Sequence, residues 1–269
     1  IYHYNKSEKK SILKENITIH KNAIIDCSFM SISELQDFIE KEICDCKEKS
    51  MLLSLHLKAS MMKVSDPIIF GHVLKVFFKN FIENNSTTLN KINVKFNSGL
   101  SNLFEKINQL DKPTKEKLVN EIELDIENGP DLAMVNSEKN ITNFHIPSDV
   151  IIDASMPAMI KSSGKMWNKN GELRDTKAII PDSSYSSIYQ ATIDFCKENG
   201  QFDPAVMGTV QNVGLMAKKA EEYGSHDKTF EIKEDGKVCV ETKDGKVLFT
   251  HNVMTVSYTH LTLPTTHDV

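Results

Sequence analysis

The chain has 269 residues, of which 40% are hydrophobic and 26% charged, and 32 Lys+Arg against 37 Asp+Glu give a formal net charge of -5. That apolar fraction excludes a disordered tail, and mild acidity without a dense basic block argues against a dedicated nucleic-acid binder. No apolar run approaches the roughly 20 residues of a membrane helix, and the length suits one or two domains with a sizeable core.

Five cysteines lie scattered at Cys27, Cys44, Cys46, Cys196 and Cys239. An odd, unpatterned set reads as free thiols in a reducing cytoplasm rather than a disulfide framework. Arg174 is the only arginine, so a polyanion site built from this chain alone lacks the usual bidentate clamp. The chain opens at Ile1 without Met and is read as starting inside a longer polypeptide or as lacking its first residues.

Residues 1–30 are polar, with short strands expected at Ile17–His20 and Ala23–Ile25. Ser33 is placed to cap a helix to about Lys47, whose apolar stripe is Leu35, Phe38, Ile39 and Ile43. Met51–Leu57 reads as a buried strand ending in Lys58. Asp66 before Pro67 starts a helix with stripe Ile69, Val73, Phe77 and Phe81, ending near Asn84. Asn85–Ser98 reads as polar linker. Helices follow at Leu100–Asn108 and Pro113–Asn128, the second with Leu118, Ile122 and Ile126 on one face and Gly129 past its end.

Strands and helices then alternate. Leu132–Val135, Val150–Ile152 and Ala178–Ile180 read as short strands, with helices over Ser184–Glu198 and Gly214–Tyr223. This pattern indicates an α/β fold, a partly parallel sheet with flanking helices. Thr229–Ile232, Lys237–Glu241 and Lys246–Thr250, joined by Asp235-Gly236 and Asp244-Gly245, read as an antiparallel β-meander near the C-terminus. From about Val256 the text turns Thr-rich, and 256–269 is expected to be a non-native or disordered tail.

Ligands in α/β sheets sit beyond the carboxyl ends of strands, which singles out Lys58, Asn136, Asp153 and Asp182. A partly buried lysine has a lowered pKa and works as a base or acid; the alternative is a rim lysine reaching water. Asp153 suits a hard divalent cation, or else caps the helix starting near Ser155. Tyr223, where a helix ends at Gly224, is either a proton donor or an aromatic packed at a helix end. Cys44-Asp-Cys46 has no partner pair for zinc, and Gly208–Gly214 is neither a dinucleotide fingerprint nor a P-loop.

Four stretches carry a longer resemblance. They are Leu57-Lys-Ala-Ser-Met-Met-Lys-Val-Ser-Asp-Pro-Ile-Ile-Phe-Gly71, Ala133-Met-Val-Asn-Ser137, Val150-Ile-Ile-Asp-Ala-Ser-Met-Pro-Ala-Met159 and Asn212-Val-Gly-Leu-Met-Ala-Lys-Lys-Ala-Glu-Glu-Tyr-Gly-Ser-His-Asp-Lys-Thr-Phe230. In order and spacing they resemble the monomeric NADP-dependent isocitrate dehydrogenases, up to about Val253. The resemblance implies that residues 1–255 are part of the large α/β domain of a longer enzyme. It implies metal-dependent oxidative decarboxylation of isocitrate to 2-oxoglutarate, with NADP and Mg2+ or Mn2+ as cofactors. The parent is expected to be a cytoplasmic monomer with no nucleic-acid or membrane partner.

Carried over by motif, Asp153 falls on a metal-binding aspartate, Tyr223 on the catalytic tyrosine, and Lys58 on the catalytic lysine. Lys63 competes with Lys58 because both lie in one motif; Asn136 and Asp149 are weaker supporting candidates. The family's arginine-rich substrate grip lies upstream, and its other metal carboxylates and most of its NADP site downstream, so no cofactor-binding residue is assigned here. The segment alone is therefore expected to be inactive. Two rivals stay open: another metal-dependent β-decarboxylating 2-hydroxy-acid dehydrogenase, and a non-catalytic α/β binding fragment.

Overall fold

A computed structural model describes residues 1–19, 21, 28–60, 63–64, 67–181, 183–203, 205–206, 229–253 and 257–260. In chain order these form strands β1 (Tyr2–Asn5), β2 (Lys10–Ile12) and β3 (Ser28–Ser31), helix α1 (Ile32–Glu48), and strands β4 (Leu52–Leu55), β5 (Ala59–Ser60) and β6 (Lys63–Val64). Helices α2 (Pro67–Phe77), α3 (Lys79–Lys91), α4 (Leu100–Ile107) and α5 (Lys112–Asn128) follow, with a 3-10 turn at Phe96–Ser98. Next come β7 (Met134–Asn136), β8 (Ile141–Thr142), a 3-10 turn at Pro147–Val150, α6 (Ile152–Lys161), β9 (Lys165–Trp167), β10 (Leu173–Ile179) and α7 (Ser183–Asn199). The remaining strands are β11 (Thr229–Ile232), β12 (Gly236–Glu241), β13 (Val247–Val253) and β14 (Ser257–His260). The α/β class read from the sequence is the class observed.

The chain divides into two compact units, Ile1–Phe38 with Lys219–Val269, and Ile39–Lys218. In the first, an antiparallel sheet has the order β13-β12-β1-β2. Ile1, Ile232, Val238, Val240 and Val253 form its apolar core. β12 and β13 make the expected hairpin, with Gly245 at φ 85° in the turn, the left-handed geometry that favours glycine. β11 does not join them. It pairs with β14, which also pairs with β3. The reason is edge occupancy: a strand has two hydrogen-bonding edges, and β13 holds one edge of β12 while β1 holds the other. The strands β1 and β2 were hidden in polar text. Of the strands expected early on, Ile17–Ile19 has no regular structure, while His20 and Ala23–Ile25 lie outside the described residues. β14 lies inside the stretch set aside as a tail.

The second unit is organised by β4, whose four residues are all buried. β10 runs parallel along one edge, from Thr176↔Leu52 to Ile179↔Leu55. Parallel bridges Leu53↔Leu132 and Leu57↔Ile151 hold the other edge. A strand enclosed on both edges and both faces must be nearly all apolar, which is why Met51–Leu57 reads as it does. β9 adds to β10 antiparallel. Across β10, Lys177 bonds Asp45 of α1 at 2.5 Å and also contacts Glu42.

Helix starts follow local chemistry. Ser31, not Ser33, caps α1: its hydroxyl accepts the Glu34 amide at 3.3 Å. Asp111 caps α5 by accepting the Thr114 amide, with Pro113 in the first turn. The expected helix ending near Asn84 is instead two helices, and Asn85–Lys91 is helical rather than linker. Phe81, Asn85 and Leu89 form one buried stripe at four-residue spacing. Asn85 belongs there because its amide donates to the Phe81 carbonyl at 2.9 Å and to Glu121. Helix α7 matches its expected span within a residue, and the helix expected at Gly214–Tyr223 lies outside the described residues.

α2 packs closely on the turn at Phe96–Ser98. A Cβ built on Gly71 would fall 1.9 Å from Asn97 Oδ1 and 3.1 Å from its amide nitrogen. Gly71→Ala is therefore expected to lower stability by about 1–3 kcal/mol in urea denaturation. Adding Asn97→Ala should recover most of that loss, and a neutral Gly71→Ala would contradict this packing.

Candidate functional site at the carboxyl end of the central strand

Beyond β4, the Leu57 amide donates to the Val150 carbonyl at 2.8 Å, and the Ile152 amide donates to the Leu57 carbonyl at 2.9 Å. Parallel neighbours lie about 4.8 Å apart, so Lys58 and Asp153 leave adjacent segments at the same sheet end. Lys58 is half-buried and Asp153 exposed. The strand expected at Val150–Ile152 is reduced to one bridge: Pro147–Val150 coils into a 3-10 turn and Ile152 already begins α6.

The N-cap of α6 is Ile151, which provides no side-chain cap. Asp153 is thus the second helical residue and not the cap. A carboxylate in this first turn faces the positive end of the helix dipole. It has no ion-pair partner among the described residues, where no three His, Cys, Asp or Glu side chains converge as a metal set. Asp153 therefore fits a hard divalent cation in chemistry, as one oxygen ligand, and the described residues bring no second and third ligand beside it.

Lys63 pairs with Ser60 across the β5–β6 hairpin, and its side chain, like Tyr223 and Asp182, lies outside the described residues. Asp149 sits in the turn before Ile151, and burial raises its pKa. Asn136 is committed locally: its Oδ1 accepts the Lys139 amide at 2.9 Å, closing the β7–β8 turn. Arg174 donates to the Ser50 carbonyl at 3.1 Å. Cys44, Cys46, Cys196 and Cys239 are free thiols.

One feature of this sheet end escaped the sequence reading. Ser54 and His56 occupy alternate positions of an otherwise apolar strand, and both are fully buried. His56 Nδ1 lies 2.6 Å from Ser155 Oγ, and Ser155 Oγ donates to the Ile151 carbonyl at 2.9 Å. The serine has one hydroxyl hydrogen, so donation to Ile151 makes His56 Nδ1–H the donor to Ser155. Ser54 Oγ accepts from Asn143 Nδ2 at 2.9 Å. His56 Nε2 and Asn143 Oδ1 have no hydrogen-bond partner among the described residues. Burial pulls the His56 pKa down to about 4, so the ring is neutral at pH 7. The available signal was the polar alternation at Ser54 and His56 inside an apolar run.

A half-buried lysine and a helix-turn carboxylate at one end of parallel strands form the layout in which α/β proteins bind ligands. Comparison with known proteins narrows that class. The family model for monomeric isocitrate dehydrogenase matches residues 1–258. The chain is 50% identical over 249 residues to NADP isocitrate dehydrogenase 2 of Mycobacterium tuberculosis, covering 92% of this chain and 33% of that protein. It is 49% identical over 248 residues to the NADP isocitrate dehydrogenase of Azotobacter vinelandii (92% and 34%). The Corynebacterium efficiens NADP isocitrate dehydrogenase is also 49% identical, over 253 residues (94% and 34%). The chain belongs to the monomeric isocitrate dehydrogenase family, as its four signature stretches indicated, and spans about a third of the length of the curated relatives it matches.

His56 gives a pH prediction. Its pKa falls from 6.5 to about 4 on folding, so the unfolded chain binds the proton first as pH drops. Stability is held above about pH 6.5, declines as pH falls toward 4 and levels below that, a contribution of roughly 3 kcal/mol. Urea denaturation across this window should give a shallower slope for His56→Asn, which has no ring to protonate; an unchanged slope would contradict the assignment.

Proposed function

We propose that this segment is part of the large α/β domain of a longer enzyme that oxidatively decarboxylates isocitrate to 2-oxoglutarate and reduces NADP+. The observation that carries the reading is Lys58 and Asp153 leaving neighbouring parallel segments tied by the Leu57–Ile152 hydrogen bond. It is supported by about 50% identity to NADP isocitrate dehydrogenases over 92% of the chain.

In this reading Lys58 takes the proton of the substrate hydroxyl while hydride passes from the same carbon to the nicotinamide. The oxidised product loses CO2, its bond electrons forming an enol. Tyr223 then protonates the enol carbon, and the net products are 2-oxoglutarate, CO2 and NADPH. Asp153 supplies one oxygen ligand to a divalent cation, with further carboxylates from the rest of the polypeptide. Mg2+ or Mn2+, when bound, acidifies the chelated hydroxyl and stabilises the enolate charge. The tricarboxylate grip must also come from outside, because Arg174, the one arginine of this segment, is spent on the Ser50 carbonyl. We place the whole protein in a reducing cytoplasm, a reading supported by the free thiols of Cys44, Cys46, Cys196 and Cys239, and as a monomer, a reading supported by the family description. No helix of the described residues is long and apolar enough to cross a membrane.

Following NADPH absorbance with isocitrate tests the assignment. The full-length polypeptide should turn over, and Lys58→Met should cut kcat by about 100- to 10,000-fold. The 269-residue segment alone should give no turnover. Full-length activity with isopropylmalate or malate but not isocitrate would overturn the substrate assignment.

A further inference from the structure

We propose that His56 and Ser155 are positioning residues that fix the Asp153 carboxylate relative to Lys58, and so set the divalent-cation affinity of the complete enzyme. The inference rests on the reading of Asp153 as a metal ligand. His56 lies two residues before Lys58 on the central strand, and Ser155 lies two residues after Asp153 in the first turn of α6. The 2.6 Å contact between them therefore joins the strand that leads to Lys58 and the helix turn that bears Asp153. Ser155 passes the link on to the Ile151 carbonyl at 2.9 Å, and the His56 amide donates to Ile179 of β10 at 2.9 Å. The ring is thus held to the helix turn through Nδ1, while the backbone of the same residue is fixed to the neighbouring strand through its amide.

A second observation explains why such a tether is needed. Pro157 lies inside α6. Proline has no amide hydrogen, so the Asp153 carbonyl loses the bond that residue i+4 would give it. The turn that carries the carboxylate is one internal hydrogen bond short, and Ile151 adds no side-chain cap. The His56–Ser155–Ile151 chain supplies an external restraint at that turn. It acts in a dry setting, since His56 is fully buried, where a hydrogen bond is strong and its loss leaves an unpaired polar group.

Mn2+ binding to the full-length polypeptide with isocitrate present, read from the free-Mn2+ electron paramagnetic resonance signal, tests this without turnover. Ser155→Ala should weaken Mn2+ binding on the order of tenfold, the lower end of losses seen when groups orienting a metal ligand are removed. Ser155→Thr, which keeps the hydroxyl, should stay within about twofold of the natural protein by the same reasoning. Asp153→Asn serves as the reference. If it abolishes binding while Ser155→Ala matches Ser155→Thr, the positioning role is wrong and the metal reading stands. If Asp153→Asn leaves binding intact, both fail. Should Ser155→Ala not fold, Ser155→Cys, of similar size and a poor donor, takes its place with the same two outcomes.

Discussion

The second unit depends on the parallel seating of one short strand. Leu52–Leu55 is hydrogen-bonded to β10 on one edge, and its continuation through Leu57 bonds to the Leu132 and Ile151 segments on the other. All four β4 residues are buried, so its register is set strongly. A slip of one residue would turn Ser54 and His56 into the space filled by Leu55 and Leu57, and each polar group would lose its partner. The same register delivers Lys58 and Asp153 to one end of the sheet.

Burying polar groups in that strand is costly unless they are bonded, and the bonds found here are specific. Asn143 satisfies Ser54, and Ser155 satisfies one nitrogen of His56. Desolvation keeps the imidazole neutral, which makes it a directed donor rather than a cation. Polar contacts elsewhere are fastenings of a different kind. Arg174 and Lys177 tie the α1–β4 corner and α1 to β10 through exposed or half-exposed contacts. Such pairs contribute little each.

Much of the fold was legible in local pattern. Helices α1 and α5 announced themselves through apolar spacing and end signals, α4 and α7 fell within a residue of their expected spans, and β4 showed as a mainly apolar run. Lys58 and Asp153 stood out because each directly follows an apolar triplet or longer run, and Asp153 proved to be an early helical residue rather than a cap. The misses share a cause. β1 is polar in composition, and only its antiparallel match to β12 makes it a strand. Asn85 looked like linker because a buried asparagine needs a second partner beyond its own helix, and Glu121 arrives only when α3 meets α5. His56 and Ser155 are 99 residues apart, a separation that no local window spans.

By itself, then, the amino-acid order determined the α/β class, most helix spans, the family and the two strand-end candidates, because each of these is written in short-range spacing or in long motif matches. Tertiary structure alone decided which strand edges pair, that β1 displaces β11 from β12, and that a buried histidine reaches the turn bearing Asp153. Those outcomes arise from competition for hydrogen-bonding edges and from desolvation, and both depend on which distant segments arrive beside one another.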